Sequence, residues 1–360
     1  MKKAISIAFV AILFAALLLT LILPDAEFSP DENRLLQQKP KLTLQNIASG
    51  QWMDDMETYL ADQFPGRTFF VRAKASMDYL MGKREIGGTY LGKDGRYFET
   101  TIKVDEAQLQ KNASYLERFA QIRDFAFLPV YSAYTVYPEA LPAFVTPVDE
   151  IALLEALNIP AIDTLTATLA EKEQAIYFKT DHHWTQDGAY IAYNAYCEAM
   201  GIEPVTEFER LHVVEPFYGS LYSKAPVFGA QPDHMSLYHI DREVSVVYDM
   251  DESTRTDSLY NKAALGEKDK YVAFLDGNHA RVDITTDAGT GKQLIVFKDS
   301  FGHALIPFLA NHYDEIVVLD LRYYNYPVSD LLNEMPEADV LMTYNVSWLA
   351  QDTNLAKLLR

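Results

Sequence analysis

The sequence predicts an α/β fold, a parallel sheet flanked by helices and preceded by an N-terminal transmembrane helix and a helical lead-in. Three observations carry this. Apolar runs of strand length at 125–131, 293–297, 315–319 and 339–342 alternate with stretches whose apolar residues recur at helical spacing. That alternation means parallel strands joined by crossovers, with helices on both faces. Residues 4–23 carry no charge and are long enough, at roughly 30 Å as a helix, to cross a bilayer.

The apolar segment comes first. Lys2 and Lys3 precede it; Asp25, Glu27, Asp31 and Glu32 follow. The positive-inside rule places the N-terminus in the cytoplasm and the remainder outside the cell membrane, as a single-pass protein. A cleaved signal peptide is the alternative, but Leu23-Pro24-Asp25-Ala26 lacks the small residues cleavage requires. Residues 1–24 are therefore read as a signal anchor. Residues 25–100 form a linker and a helical lead-in. Its apolar residues keep helical spacing from Ile47 to Phe64 and again from Phe69 to Met81, broken by Pro65-Gly66. Gly87 to Phe98 reads as two short strands around a Lys-Asp-Gly turn.

The α/β domain takes residues 101–360. A helix at 105–123 leads into the strand 125–131, and a second helix covers 149–157. A short strand and a helix follow at 161–169. A strand at 175–178 delivers Asp181. Ala189, Ala192, Tyr193, Tyr196, Cys197 and Met200 then fall on one face of a helix capped by Thr185 or Asp187. Residues 205–290 are rich in Val, Tyr, Asp and turn residues, with alternation at 243–248 and 271–275; they read as a strand-rich excursion from the main sheet. The strand 293–297 ends at Lys298-Asp299-Ser300, and 301–312 reads as a helix kinked at Pro307. Two further strands, 315–319 and 339–342, enclose a helix at 329–334.

Composition narrows the function. With 31 Lys and Arg against 51 Asp and Glu, the net charge is −20. That argues against nucleic acid, whose phosphates need a basic surface. It leaves a glycan open as partner. The single cysteine, Cys197, excludes an internal disulfide and a zinc site built mainly from thiolates. No cofactor is indicated.

The chemistry centres on Thr180-Asp181-His182-His183-Trp184-Thr185 and on Ser300. In open α/β sheets the reactive site lies beyond the carboxyl ends of the strands, where Ser300 falls. A serine hydroxyl needs a base to act as a nucleophile at neutral pH. If 180–184 is extended, Asp181 and His183 point the same way, so the carboxylate can fix one imidazole tautomer while the other nitrogen faces Ser300. An N-cap serine beside a polar loop is the alternative. Asp181, His182 and His183 with His279 or His303 could instead ligate zinc, but adjacent histidines in extended chain point apart, and no metal is expected.

Phe178-Lys-Thr-Asp-His-His-Trp-Thr185 with Gly188 resembles the signature of the DHHW family of surface proteins. Glu32-Asn33-Arg34, Phe64-Pro65-Gly66-Arg67, Tyr137-Pro138, Leu141-Pro142, Gly277-Asn278-His279, Lys298-Asp299-Ser300 and Leu319-Asp320-Leu321-Arg322-Tyr323-Tyr324 extend the likeness. The family is similar to the SGNH-hydrolase-like alginate O-acetylation proteins. The resemblance implies a circularly permuted SGNH-like sheet with Ser300, His183 and Asp181 as a catalytic triad. It departs from the alginate proteins at Lys298-Asp299-Ser300-Phe301, where those have Gly-Thr-Ser, and Ser132-Ala133-Tyr134 lacks a lysine often found there.

The implied function is an extracellular O-acetyltransferase acting through an acetyl-enzyme on a cell-surface or secreted polysaccharide. An acetyl donor and a membrane-bound O-acyltransferase are the implied partners. A carbohydrate acetylesterase with the same triad and a non-catalytic glycan-binding or assembly protein are the alternatives. Asn345, at the end of the last strand, is the candidate side-chain oxyanion donor. Arg322, Trp184, His182 and Asn278 are candidate substrate contacts, with Trp184 favoured as packing beneath the histidine.

Overall fold

A computed structural model describes residues 2–100, 103–213 and 216–360. The chain forms two compact units. One runs to Gly88 and includes Tyr222–Ala230; the other comprises Thr89–Leu221 and Gln231–Arg360. The boundary falls before the turn at 92–95 rather than near residue 100, and nine residues of the 205–290 stretch return to the first unit. Val214 and Glu215, within that stretch, lie outside the described residues.

In the first unit the helix Lys2–Ile22 is long and apolar enough to cross a membrane. The lead-in folds as helices Gln51–Asp62 and Arg67–Leu80, each entered through a left-handed glycine, Gly50 and Gly66, and preceded by a short turn of helix at Leu44–Ala48. Polar motif residues of this unit form an ion-pair clasp. Arg34 donates from Nη1 and Nη2 to the buried Asp62 carboxylate at 2.9 and 2.5 Å, and from Nε to Glu32 at 2.8 Å. Arg67 donates to both oxygens of the same Glu32. The guanidinium of Arg34 holds the Asp62 carboxyl below its ordinary range.

The second unit is built on a six-stranded sheet. Its strands are β1 (Ala126–Val130), β2 (Val244–Tyr248), β3 (Arg281–Thr286), β4 (Gln293–Lys298), β5 (Glu315–Leu319) and β6 (Asp339–Asn345), in the order β1-β6-β4-β5-β3-β2. The first four in that order are parallel, in registers such as Lys298 with Thr343 and Phe297 with Leu319. β3 runs antiparallel to both β5 and β2. The sheet is thus mixed, not wholly parallel. The strand-rich excursion supplies two of its strands, whereas 270–273 is a 3₁₀ turn. The reason the fold still centres on parallel pairs is visible in β4: Leu294, Ile295, Val296 and Phe297 are all fully buried, so both faces of that strand are covered.

Helices pack on this sheet. Glu106–Ala120, capped by Asp105, sets Phe119 edge-on to Phe297 at 5.6 Å. Gln186–Met200 begins at Thr185, whose side chain accepts from Gly188 N–H, and stacks Tyr193 on Phe308 at 5.2 Å; Cys197 is buried on its apolar face. Residues 300–309 are not one kinked helix. A 3₁₀ turn over Ser300–Ala304 gives way to a four-residue helix, Ile306–Leu309, with Pro307 in its first turn, where no backbone donor is needed.

Candidate active site

The carboxyl ends of β1, β4, β5 and β6 lie side by side because these strands are parallel. They place Ser132, Ser300, Asp320 with Arg322, and Asn345 along one edge. Ser300 opens the 3₁₀ turn after β4. Asp299 caps that turn: one carboxylate oxygen accepts from Phe301 N–H at 2.9 Å and the other from Asn345 N–H at 2.8 Å. Burial pushes the Asp299 carboxyl up to about 6. Gly302 is required by close approach, since a Cβ there would sit 2.7 Å from Lys298 Cβ.

The Asp-His-His-Trp stretch arrives on a tight loop rather than at the end of a sheet strand. A bridge between Tyr177 and Trp184 holds its ends, with Phe178 N–H donating to His183 O and Thr185 N–H to Ile176 O. Because the chain bends at 179–183, residues i and i+2 do not share a face as in a strand, and the two histidine rings do not point apart: their centroids lie 3.8 Å from one another. Asp181 and His183 still meet, through the loop's own hydrogen bonds. Asp181 Oδ1 accepts from His183 N–H at 3.0 Å and stands 2.6 Å from His183 Nδ1. Asp181 Oδ2 accepts from Ser220 N–H at 2.7 Å. On the far side of the ring, His183 Nε2 is 2.8 Å from Ser300 Oγ. The network assigns the tautomer: Nδ1–H donates to the carboxylate and Nε2 accepts from the serine hydroxyl.

Burial sets the charges of this chain of groups. It lowers the His183 imidazole to about 4, with nearby His182 acting in the same direction, so the ring is neutral near pH 7. Burial alone would raise Asp181, but the two histidines and the Ser220 N–H hold it well below the carboxylate range. A neutral imidazole braced by an ionised carboxylate and hydrogen-bonded to a hydroxyl is the arrangement that can take a proton from serine as it attacks a carbonyl.

Several residues in this shell are not marked as site residues by the sequence. Tyr271 lies flat on His183 at 3.8 Å with a 5° interplanar angle, and its hydroxyl donates to Ser300 O at 3.2 Å. Gly219 passes so close to Asp181 that a Cβ would be 2.5 Å from Oδ2. Lys298, fully buried under the turn, sets Nζ 2.6 Å from His303 Nε2 and 3.5 Å from Asp320 Oδ2; burial lowers its ammonium to about 8. Tyr271 lies in a stretch whose alternation reads as a strand, Gly219 in one without periodic pattern, and Lys298 at an ordinary strand end.

The remaining candidates divide. His182 lines the cleft in front of Ser300, with Nδ1 2.8 Å from Ser220 Oγ. Arg322 lines it too, its Nε and Nη2 held by Asp320 and Nη2 also donating to Asn278 Oδ1 at 3.1 Å. Asn278 thus reaches the site through Arg322. Trp184 is buried beneath the Ser300 turn, donating from Nε1 to Phe301 O at 2.9 Å, so its indole does not meet a substrate. Asn345 is a correction of another kind. Its Nδ2 donates to Val130 O and Ser132 Oγ, and its Oδ1 accepts from Trp348 N–H, so the buried amide is committed to holding the strand ends together and is not directed at an oxyanion. Asp181, His182 and His183 offer three metal-ligand atoms within 4.8 Å, but both Nδ1 atoms already have the partners named above.

The family model described as DHHW protein matches residues 162–319. No curated protein matches the chain. Among solved structures, a DHHW family protein from Eubacterium siraeum aligns with 25% identity over 76% of this chain and 96% of its own, with a TM-score of 0.62. Bacillus cereus PatB1, solved with a sulfonyl adduct, aligns with 19% identity over 73% of this chain and 97% of its own, TM-score 0.61. The O-acetyltransferase domain of Pseudomonas putida AlgJ is more distant, with 16% identity over 75% of this chain and 98% of its own at a TM-score of 0.45. The likeness to the DHHW family carried by the sequence motifs is therefore found again in the family model, over the segment that holds Asp181, His183 and Ser300, and in a solved relative that shares the fold.

Proposed function

We propose that the protein is an extracytoplasmic O-acetyltransferase that moves an acetyl group onto a polysaccharide hydroxyl through Ser300. The observation that carries this is the continuous hydrogen-bonded line from Asp181 through His183 to Ser300, with 2.6 and 2.8 Å links, at the mouth of a cleft. His183 takes the hydroxyl proton as Ser300 Oγ attacks the acetyl carbonyl. Asp181 stabilises the imidazolium that forms. The Ser300 N–H at the start of its turn and the Arg322 guanidinium are the donors we assign to the oxyanion. Collapse expels the donor's leaving group, protonated by His183, and leaves an acetyl ester on Ser300. The acceptor hydroxyl then attacks that ester, giving its proton to His183, and the O-acetylated glycan departs with Ser300 restored.

The order Asp181, His183, then Ser300 along the chain supports a permuted SGNH-like arrangement. The resemblance to alginate O-acetylation proteins supports a polysaccharide acceptor and a membrane-bound O-acyltransferase as donor partner. The helix Lys2–Ile22 supports attachment to the membrane with the second unit outside.

The test is release of p-nitrophenol from p-nitrophenyl acetate by the full chain in detergent, beside Ser300→Ala and His183→Ala. Intact-mass spectrometry should find an acetyl adduct of about 42 Da on the wild type alone. Folded variants that keep wild-type turnover would remove Ser300 as nucleophile. Adding oligosaccharide should convert hydrolysis into transfer; an ester that only water can cleave would make the protein an esterase.

A further inference from the structure

Acetyl transfer does not say which kind of sugar is acetylated, but the cleft in front of Ser300 does. The cleft encloses about 510 Å³ and is shaped by the C-terminal helix Val346–Gln351 and the residues that follow it. That is room for a ligand of several rings. On that helix Val346, Ser347, Leu349 and Ala350 are buried, yet Trp348 keeps 47% of its surface exposed and turns it to the cleft. An exposed indole costs apolar hydration, and a flat aromatic face beside a reactive serine suits the C–H face of a pyranose ring.

The polar groups around it are chosen for hydroxyls and amides. Gln351, Thr353 and Asn354 line the cleft with uncharged donors and acceptors. Tyr344, only 3% exposed, also lines it, but with its hydroxyl enclosed rather than open to the cleft. Among the described lining residues the charges are three carboxyls, Glu99, Asp299 and Asp352, against the single guanidinium of Arg322, which is already ion-paired through Nε and Nη2 with Asp320. An anionic sugar would meet net like charge. Nor is the cleft an open trap for cations: Asp299 is committed to the N–H groups of Phe301 and Asn345, and Asp352 to Asn354.

We infer that the acceptor is an uncharged glycan, one ring of which stacks on the Trp348 indole with its hydroxyls or N-acetyl group reaching Gln351, Thr353 and Asn354, and that uronic-acid polymers are excluded. As an acceptor assignment this rests on the acetyl-transfer reading of Ser300; as a binding site it stands apart from it.

Calorimetric titration of the full-length Ser300→Ala protein in detergent separates the two. The probes are cello-, manno- and N-acetylchito-hexaose, a uronic-acid hexamer and a glucosamine hexamer. At least one uncharged hexaose should bind about ten-fold or more tightly than the uronate, with the gap narrowing as salt is raised. Trp348→Ala should weaken that binding about ten-fold, and Trp348→Phe should restore most of it. Best binding by the uronate or the glucosamine hexamer, no binding by any uncharged hexaose, or affinity untouched in Trp348→Ala would overturn the inference. Labelling of wild-type Ser300 by phenylmethylsulfonyl fluoride is measured in parallel. A labelled serine with no uncharged ligand defeats the acceptor assignment alone; an inert serine in a cleft that binds uncharged glycan defeats the transferase reading alone.

Discussion

In His183 one buried ring ties the proposed reactivity to folding. Its environment lowers the imidazole from an ordinary value near 6.5 to about 4. The folded ring therefore stays neutral, and able to accept a proton, well into the acid range. Turnover of p-nitrophenyl acetate should rise with loss of a single proton whose apparent pKa lies far below 6.5, near 4; an acid limb at 6.5 or above would show another group acting as base. The same shift has a stability consequence. A depressed folded pKa means the contribution is complete above the unfolded value of about 6.5 and is lost as pH falls towards 4, about 3 kcal/mol in all. Asp181 depends on a glycine from outside its own loop. Replacing Gly219 with alanine pushes a methyl into the Asp181 carboxylate, which must then swing off the His183 axis. We expect Gly219→Ala to lower kcat by about 10²-fold, a displacement effect, and Asp181→Asn by up to about 10⁴-fold through the wrong tautomer. Wild-type kcat in Gly219→Ala would mean the loop absorbs the methyl.

At the scale of elements, what was legible in the sequence follows from period. The buried strands β1, β4, β5 and β6 read as continuous apolar runs, and helices such as Gln186–Met200 and Glu106–Ala120 read from i, i+3, i+4 spacing with a capping side chain at the start. Alternation alone does not say which sheet a strand joins. β2 and β3 were expected to lie off the main sheet, but they join it through antiparallel pairing, which depends on partners distant in sequence. The loop at 176–185 has an apolar start, Ala175 to Phe178, that imitates a strand; its conformation is set instead by Asp181 accepting from His183 N–H and Ser220 N–H. Site residues followed the same division. Ser300, His183 and Asp181 were legible as candidates because strand end and motif mark them, whereas Tyr271, which stacks on His183, lies in a stretch whose alternation reads as a strand but which folds as a 3₁₀ turn. The turn bearing Ser300 is itself testable. In Gly302→Ala the added methyl meets Lys298 Cβ and, at 3.1 Å, Thr343 Cγ2, both on buried strands that cannot retreat. The turn must lift, so the variant should lose about 1–3 kcal/mol in urea unfolding and most of its esterase turnover. Loss of neither would show that the turn has slack.

Across the whole second unit, the edge that carries the candidate site is held by a carboxyl far from Ser300 in sequence. Glu150 is 1% exposed. One oxygen accepts from Ser132 N–H at 2.8 Å and Thr135 Oγ1–H at 2.6 Å, the other from the hydroxyls of Ser132 and Ser347, both at 2.7 Å. Those groups belong to the exit of β1 and the helix after β6, and Ser132 in turn accepts from the Asn345 amide. Two segments brought together by the parallel pairing of β1 and β6 are thereby locked at their carboxyl ends, behind the cleft that Trp348 faces. Removing the carboxyl in Glu150→Ala orphans four donors in a dry interior, and we expect a loss of about 3–5 kcal/mol. Glu150→Gln should cost about 1 kcal/mol or less, because the amide oxygen can take Ser132 N–H and Thr135 while the NH₂ donates to the two serine hydroxyls, whose protons rotate away. The two variants also separate charge from shape. Burial raises the Glu150 carboxyl, so its contribution is full below the ordinary glutamate value and declines as pH rises through the folded one. Glutamine has no such titration. Urea unfolding from pH 4 to 8 should therefore show wild type losing ground to Glu150→Gln as pH rises, with Glu150→Ala below both throughout. If alanine were tolerated as well as glutamine, the four hydrogen bonds would be ornaments of a sheet edge that packing alone keeps in register, and the alignment of Ser300 with His183 would have to be sought in the Trp184 and Tyr271 contacts beneath the turn.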